Sequence, residues 1–125
     1  MKLTLPWDAV MHDNHRFIPV KMGKGPKAAL RLIASPEYRE KKQIAEARFM
    51  AQCHGQPKLE GELKLHARCY FPDRRKRDSG NYRKLITDAL SEIAFADDSQ
   101  LVSETWEKAE IDRERPRIEI TLEAA

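Results

Sequence analysis

Residues 71–100, FPDRRKRDSGNYRKLITDALSEIAFADDSQ, set the organisation of this chain. The stretch begins with the densest run of positive charge in the sequence, and Asp78 follows this run directly. A second acidic point, the pair Asp97 and Asp98, lies near its end. At about 100° per residue, the apolar side chains between the acidic points share one side of a predicted helix. These side chains are Tyr82, Leu85, Ile86, Ala89, Leu90 and Ile93. The stretch therefore places carboxylates on two loops that flank one amphipathic helix.

Metal-dependent attack on a phosphodiester is the chemistry that such a set could perform. Mg²⁺ prefers oxygen ligands and is usually held by one or two carboxylates together with phosphate oxygens of the substrate. Asp78 and Asp98 are the candidate ligands, and Lys84, on the polar side of the helix with Asn81 and Asp88, could stabilise the transition state. The cations of the basic run would hold a nucleic-acid backbone. They are Arg74, Arg75, Lys76 and Arg77.

Ordinary structural roles explain the same residues equally well at this point. Asp78 or Ser79 is a sound helix N-cap, and a carboxylate before a helix interacts favourably with the helix dipole. The segment Asp97-Asp98-Ser99 is typical of a turn. A solvated basic loop would have the same composition as a DNA contact, so a structural or protein-binding module remains open.

A family resemblance adds specificity. The run PDRRKRDSGNYRKLITDAL followed by DDSQL resembles the signature of the RusA family of Holliday junction resolvases. That signature has a basic run, then Asp-x-Asp-Asn, a lysine three residues after the Asn, Asp-Ala-Leu in the helix and an Asp-Asp pair before a strand. The N-terminal Leu5-Pro6-Trp7 also resembles the family's opening strand and turn. The order and spacing agree over most of the chain, whereas residues 10–61 agree only in pattern.

The resemblance implies a small homodimeric endonuclease that depends on Mg²⁺, with Mn²⁺ as a substitute, and cuts four-way DNA junctions by symmetrical nicks. Asp78 matches the first metal-binding aspartate of the motif, Asp98 matches the aspartate that completes the metal site, and Lys84 matches the catalytic lysine. Asn81, Asp88 and Asp97 match accompanying motif positions. We expect Asn81 to contact DNA, and either Asp97 or Asp88 to be a further metal ligand.

One position departs from the motif, because Gly80 stands where the family has its second aspartate. A missing carboxylate should weaken metal binding, although two protein carboxylates can still hold Mg²⁺. Asp73, Asp88 or Asp97 could supply an oxygen, and Gly80 could instead serve a tight entry into the helix. The alternative function is a protein of the same fold that binds branched DNA but has lost cleavage.

The rest of the chain predicts the elements around this stretch. Strands are expected at residues 2–5, 62–71, 101–111 and 117–122, since apolar and polar residues alternate there, less cleanly over 101–111 than over 62–71. Ser35-Pro36-Glu37 predicts the start of a helix that continues to Gly55. Residues 8–34 are expected to form a long irregular loop. The fold class is therefore α+β, a single domain over residues 1–125 with two helices packed in a second layer on a mixed or antiparallel sheet of about four strands.

The composition and the long loop lead to further expectations. No apolar run approaches the roughly 20 residues of a membrane span, and no signal peptide is recognisable, so we expect a cytoplasmic protein without membrane contact. Cys53 and Cys69 lack metal or disulfide spacing and are expected to be buried. His12 and His15 are expected on a surface loop. The loop cations either follow a phosphate backbone or are simply solvated. They are Arg16, Lys21, Lys24 and Lys27.

Overall fold

The structure is a computed structural model that describes residues 1–125. Eight helices and strands follow one another along the chain, joined by short 3₁₀ turns. They are β1 (Lys2–Pro6), β2 (Phe17–Met22), β3 (Ala29–Ala34), α1 (Pro36–Gln52), β4 (Leu63–Tyr70), α2 (Arg83–Leu90), β5 (Leu101–Lys108) and β6 (Arg117–Ala124). The predicted α+β class is confirmed.

A mixed four-stranded sheet with the order β1-β6-β4-β5 forms one layer. Strand β6 lies antiparallel between β1 and β4, whereas β5 runs parallel to β4 at the edge. A parallel neighbour requires a crossover connection, and helix α2 supplies it. The stretch quoted above is therefore the connection of a β4-α2-β5 unit.

The helices cover one face of the sheet, and the hydrophobic core lies between the two layers. Strand β4 buries Leu63, Leu65, Ala67 and Cys69 in strict alternation with more exposed residues, as its pattern predicted. Helix α1 begins as expected, because the Ser35 hydroxyl accepts a hydrogen bond from the Tyr38 N–H at 3.0 Å. The predicted apolar side of α2 is buried from Tyr82 to Leu90, while Ile93 lies beyond the end of the helix.

The prediction of an irregular loop over residues 8–34 is wrong. Strands β2 and β3 in this region pair with each other as an antiparallel hairpin, and neither joins the four-stranded sheet. The Gly-Lys-Gly-Pro segment indicated a break in regular structure, but it forms the turn of the hairpin, with φ of 88° at Gly23 and 72° at Gly25. Pro19 is tolerated because a two-stranded ribbon consists only of edge strands.

Smaller differences concern element ends and single residues. Strand β5 ends at Lys108, three residues before the predicted boundary at 111. Cys53 and Cys69 are free and buried, as expected. Neither helix has the length and hydrophobicity needed to cross a membrane.

Candidate active site

Asp78 lies in the loop that leaves β4, where it caps a short 3₁₀ turn (Ser79–Tyr82) leading into α2. Its Oδ1 atom accepts a hydrogen bond from the Gly80 N–H at 3.0 Å, and its carbonyl accepts one from the Asn81 N–H at 3.1 Å. The Ser79 hydroxyl donates to the Trp106 carbonyl at 2.9 Å, which holds the turn against β5. Asp78 itself is exposed and belongs to no ion pair, so its carboxylate is accessible to a ligand.

The second acidic point lies between α2 and β5, and its two aspartates differ in their local roles. Asp97 forms a capping box with Gln100, in which the Asp97 side chain accepts from the turn and the Gln100 side chain accepts from the Asp97 N–H. The hydrogen bond from the Ser99 N–H lowers the pKa of Asp97. Asp98 is exposed and forms no ion pair. Of the two, only Asp97 has its carboxylate committed to the capping box.

Lys84 lies on the first turn of α2, and its ammonium group faces Asp88 one turn later. The Lys84 Nζ atom is 3.2 Å from Asp88 Oδ1, and the Tyr38 hydroxyl on α1 donates to Asp88 Oδ2 at 2.5 Å. Burial, and then the bond to Asp88, raise the pKa of Tyr38, so this hydroxyl keeps its proton. Both oxygens of Asp88 are therefore engaged, and Asp88 would have to give up a partner to bind a metal.

Three residues that the sequence did not single out hold the start of α2 in place. Asp13 Oδ1 accepts a hydrogen bond from the Lys84 N–H at 3.0 Å, which caps the helix from a distant part of the chain. Arg83 forms a bidentate ion pair with Glu104 on β5, in which both N···O distances are 2.6 Å. This pairing lowers the pKa of Glu104. No local pattern identifies such contacts, because their partners are 71 and 21 residues apart.

The basic run divides into two environments. Arg74, Arg75 and Lys76 are exposed to solvent, and Arg75 has only a 3.8 Å contact with Asp73. Arg77 is different, because its side chain is only 12% exposed and lies 2.6 Å from Asp73 Oδ1. Its guanidinium also stacks over the rings of Trp7 and Phe71. The first three cations are thus free to meet a polyanion, whereas Arg77 holds the loop to the core.

The predicted site residues surround α2 without forming one compact group of ligands. Asp88 and Asp98 line the same cavity of about 490 Å³. Asp98 also lies close enough to Arg83 to raise its pKa, although the bond to Glu104 contributes most to that shift. No three His, Cys, Asp or Glu side chains are grouped so that they could hold a metal ion. A metal would therefore rely on few protein ligands together with water and substrate oxygens.

Gly80 has space for a side chain. A Cβ atom added there would lie 3.5 Å from Asp78 Oδ1, an ordinary contact distance, and the φ angle of Gly80 is not positive. The structure thus offers no conformational reason for glycine, and the interpretation of Gly80 as a requirement of a tight helix entry loses its support. A carboxylate at this position would lie next to that of Asp78.

The available donors suit Mg²⁺ by their chemistry. Asp78 and Asp98 offer hard carboxylate oxygens that are exposed and outside every ion pair, which are the ligands that Mg²⁺ prefers while it keeps several waters. The two cysteines and His12 offer no softer alternative. Cys53 and Cys69 are buried, and His12 uses its Nδ1 atom to cap a turn. Asp78 and Asp98 therefore remain the predicted ligands.

Comparison with known proteins agrees with the motif. A sequence model described as "Endodeoxyribonuclease RusA" matches residues 6–123. The chain is 29% identical over 121 residues to the "Crossover junction endodeoxyribonuclease RusA" of Escherichia coli strain K12, covering 96% of this chain and 91% of that protein. The proteins of the same description from Escherichia coli O6:H1 strain CFT073 and from O1:K1 show the same identity and coverage. The matched residues include the hairpin of β2 and β3, both helices and both acidic loops.

Proposed function

Since this chain belongs to the endodeoxyribonuclease RusA family, we propose that it resolves four-way DNA junctions by symmetrical, Mg²⁺-dependent nicking. The observation that carries the proposal is the arrangement around α2. An exposed aspartate lies on the loop at each side of the helix, and a lysine lies on its first turn. Membership of the family supports a four-way junction as the substrate, and the two aspartates and the lysine support metal-dependent cleavage.

Each residue has a defined part in the proposed reaction. Asp78 and Asp98 would hold Mg²⁺, with Mn²⁺ as a substitute, and the bound ion would activate water and offset charge on the phosphate. The ammonium group of Lys84 would stabilise the charge that develops on the phosphate, and Asp88 would hold that group in position through the 3.2 Å contact. Tyr38 in turn holds Asp88, so a hydrogen-bonded chain from α1 fixes the lysine.

The substrate and the assembly are part of the same proposal. Arg74, Arg75 and Lys76 would contact the DNA backbone beside the site, with Asn81 at the entry to α2. Symmetrical nicks require two equivalent sites, and a homodimer with two-fold symmetry would supply them. The cytoplasm is the proposed location, because it contains the DNA on which such an enzyme acts.

Cleavage of a synthetic four-way junction tests this proposal. We expect the wild type with Mg²⁺ to give paired nicks. Asp78→Asn and Asp98→Asn should each lower the rate on the order of 100-fold or more, because each removes a metal-binding charge. Asp8→Asn is the matched control, since Asp8 is an exposed carboxylate in no ion pair, and it should cut normally. Equal rates for all four proteins would contradict the assignment.

A second candidate function rests on Gly80. The motif's second carboxylate is missing, and no three-ligand cluster exists in the structure. This favours a branched-DNA-binding protein with weakened or lost cleavage. That function predicts junction binding with strong salt dependence and no product at any concentration of Mg²⁺ or Mn²⁺. Cleavage and binding of the junction, measured over a range of Mg²⁺ and Mn²⁺ concentrations, therefore distinguish the two candidates.

A further inference from the structure

The hairpin of residues 16–34, which we call the arm, stands apart from the rest of the molecule. Its strands β2 and β3 pair only with each other, and most of its side chains are exposed on both faces. Leu30 and Leu32 are 76% and 67% exposed, which is a high exposure for two neighbouring leucine side chains of one strand. The arm therefore has two surfaces that the folded chain itself does not cover.

The charge of the arm is one-sided. It contains five basic residues and no aspartate or glutamate, whereas the other 106 residues have a net charge of −2. None of the ten ion pairs of the protein includes Lys21, Lys24, Lys27 or Arg31. These cations have no partners within the chain, so their charge is available to an external polyanion. Without the arm, the protein would have a net negative charge, which would repel DNA.

The base of the arm is attached at the candidate active site. Asp13, three residues before the arm, accepts the hydrogen bond from the Lys84 N–H, and the His12 ring packs 5.5 Å from that of Tyr82. On the other side, the Ser35 hydroxyl and N–H donate to the carbonyls of His15 and Arg16, each at 2.9 Å. The arm thus extends from the start of α2 and not from a remote edge of the protein.

We propose that the arm is a second DNA-binding element, which lies along a duplex branch of the substrate and contacts its phosphates through Lys21, Lys24 and Lys27. A six-residue ribbon extends about 20 Å, and the major groove of DNA is wide enough to admit two strands. Pairing of the arm with the arm of a second copy is disfavoured, because each would bring five positive charges and no negative one. This inference rests on the proposed function, which supplies the DNA substrate.

Binding of the wild type and matched lysine variants to a four-way junction, measured by fluorescence anisotropy without Mg²⁺ at several salt concentrations, tests the proposal. Lys21→Ala, Lys24→Ala and Lys27→Ala together should weaken binding by about tenfold or more and reduce the slope of log K against log salt by about 2 to 3. The control combines Lys58→Ala, Lys64→Ala and Lys108→Ala. These three lysines are also exposed and outside ion pairs, so the change in net charge is identical. Its slope should change by less than about 1.

Additional variants and measurements distinguish the possible outcomes. Replacing the same three arm lysines by arginine should preserve the wild-type slope, and near-equal melting temperatures would show that all variants fold. Equal losses in the alanine variant and its control would overturn the proposal for the arm. Wild-type protein that does not bind the junction at all would instead contradict the proposed function. A molecular mass halved by Leu30→Ser with Leu32→Ser, in sedimentation, would assign the arm to an interface between copies and also overturn it.

Discussion

Gly80 is the position at which this chain departs from the motif that it resembles, and the surrounding atoms leave room for a carboxylate there. The Cβ position is 3.5 Å from Asp78 Oδ1, so an aspartate here would place two carboxylates side by side. Two close negative charges repel each other in the absence of a cation and bind a divalent cation more tightly. The position can therefore change metal affinity without changing the backbone.

We expect Gly80→Asp to bind Mg²⁺ several-fold more tightly than the wild type and to be slightly less stable without metal. Gly80→Asn is the control, because it adds nearly the same volume without the charge. Isothermal titration with Mg²⁺ and thermal unfolding with and without the ion measure both effects. If the Asp and Asn variants bound Mg²⁺ alike, the metal would lie elsewhere.

Asp13 gives a prediction about pH at the same scale. Burial raises the pKa of its carboxyl group above the ordinary value of 3.8, despite the hydrogen bond from the Lys84 N–H. The folded protein then binds this proton more tightly than the unfolded chain does, so stability falls as pH rises through the raised pKa. Asn can accept the same hydrogen bond but does not titrate.

The free energy of unfolding of the wild type relative to Asp13→Asn should be highest below the ordinary carboxyl pKa and should decrease toward neutral pH. Urea unfolding of both proteins across that range measures this difference, in which the other acidic groups cancel. Asp13→Ala should cost about 1 kcal/mol more than Asp13→Asn at every pH, because it also removes the helix cap. A difference that does not vary with pH would show that the carboxyl group is not perturbed.

At the scale of elements, the contact between α1 and α2 connects the fold to the chemistry. Both helices lie on the same face of the sheet, and the Tyr38 hydroxyl reaches Asp88 across the boundary between them. Asp88 also holds Lys84, so the packing of α1 controls the position of the proposed catalytic ammonium group. The two helices therefore act together as a support for one side chain.

Tyr38→Phe should lower the free energy of unfolding by about 2 kcal/mol, because a hydrogen bond to a charged group is lost. It should also lower kcat with little effect on junction binding, since Lys84 would be less well positioned. Tyr70→Phe is a suitable control, because the Tyr70 ring stacks with Arg117 and its hydroxyl makes no hydrogen bond. Unchanged kcat in Tyr38→Phe would mean that Asp88 does not orient Lys84.

At the scale of the whole molecule, one continuous hydrophobic cluster joins both helices to the four-stranded sheet. Cys69 belongs to this cluster and has no exposed surface, and burial raises the pKa of its thiol to about 12. A thiol with that pKa has almost no reactive thiolate at neutral pH. Its modification therefore requires the core to open.

In a Cys53→Ala background, a thiol reagent should modify Cys69 at a rate limited by global unfolding. Cys53, at the end of α1, should react faster in the corresponding Cys69→Ala protein, because helix ends fray more easily than a central strand opens. Mass spectrometry over time, compared with unfolding rates in urea, measures both. Rapid labelling of Cys69 in the native protein would show that β4 opens locally.

Short-range periodicity made much of this molecule predictable. The alternation in β4, the Ser-Pro-Glu start of α1 and the apolar side of α2 each reflect a local rule of backbone geometry, and all three are confirmed. The residues Asp78, Lys84 and Asp98 were also identified from sequence, because a motif preserves their order and spacing. Their roles in metal binding and catalysis stay predictions.

Long-range contacts had no signature in the sequence, and the tertiary structure alone decided them. The pairing of β2 with β3, the cap that Asp13 gives to α2 and the contact of Tyr38 with Asp88 all depend on which distant residues packing brings together. The basic run shows the same limit, since four adjacent cations look alike in sequence but only Arg77 is buried against Asp73. The sequence determined the elements and the candidate chemistry, whereas packing decided which charges are left free to meet DNA.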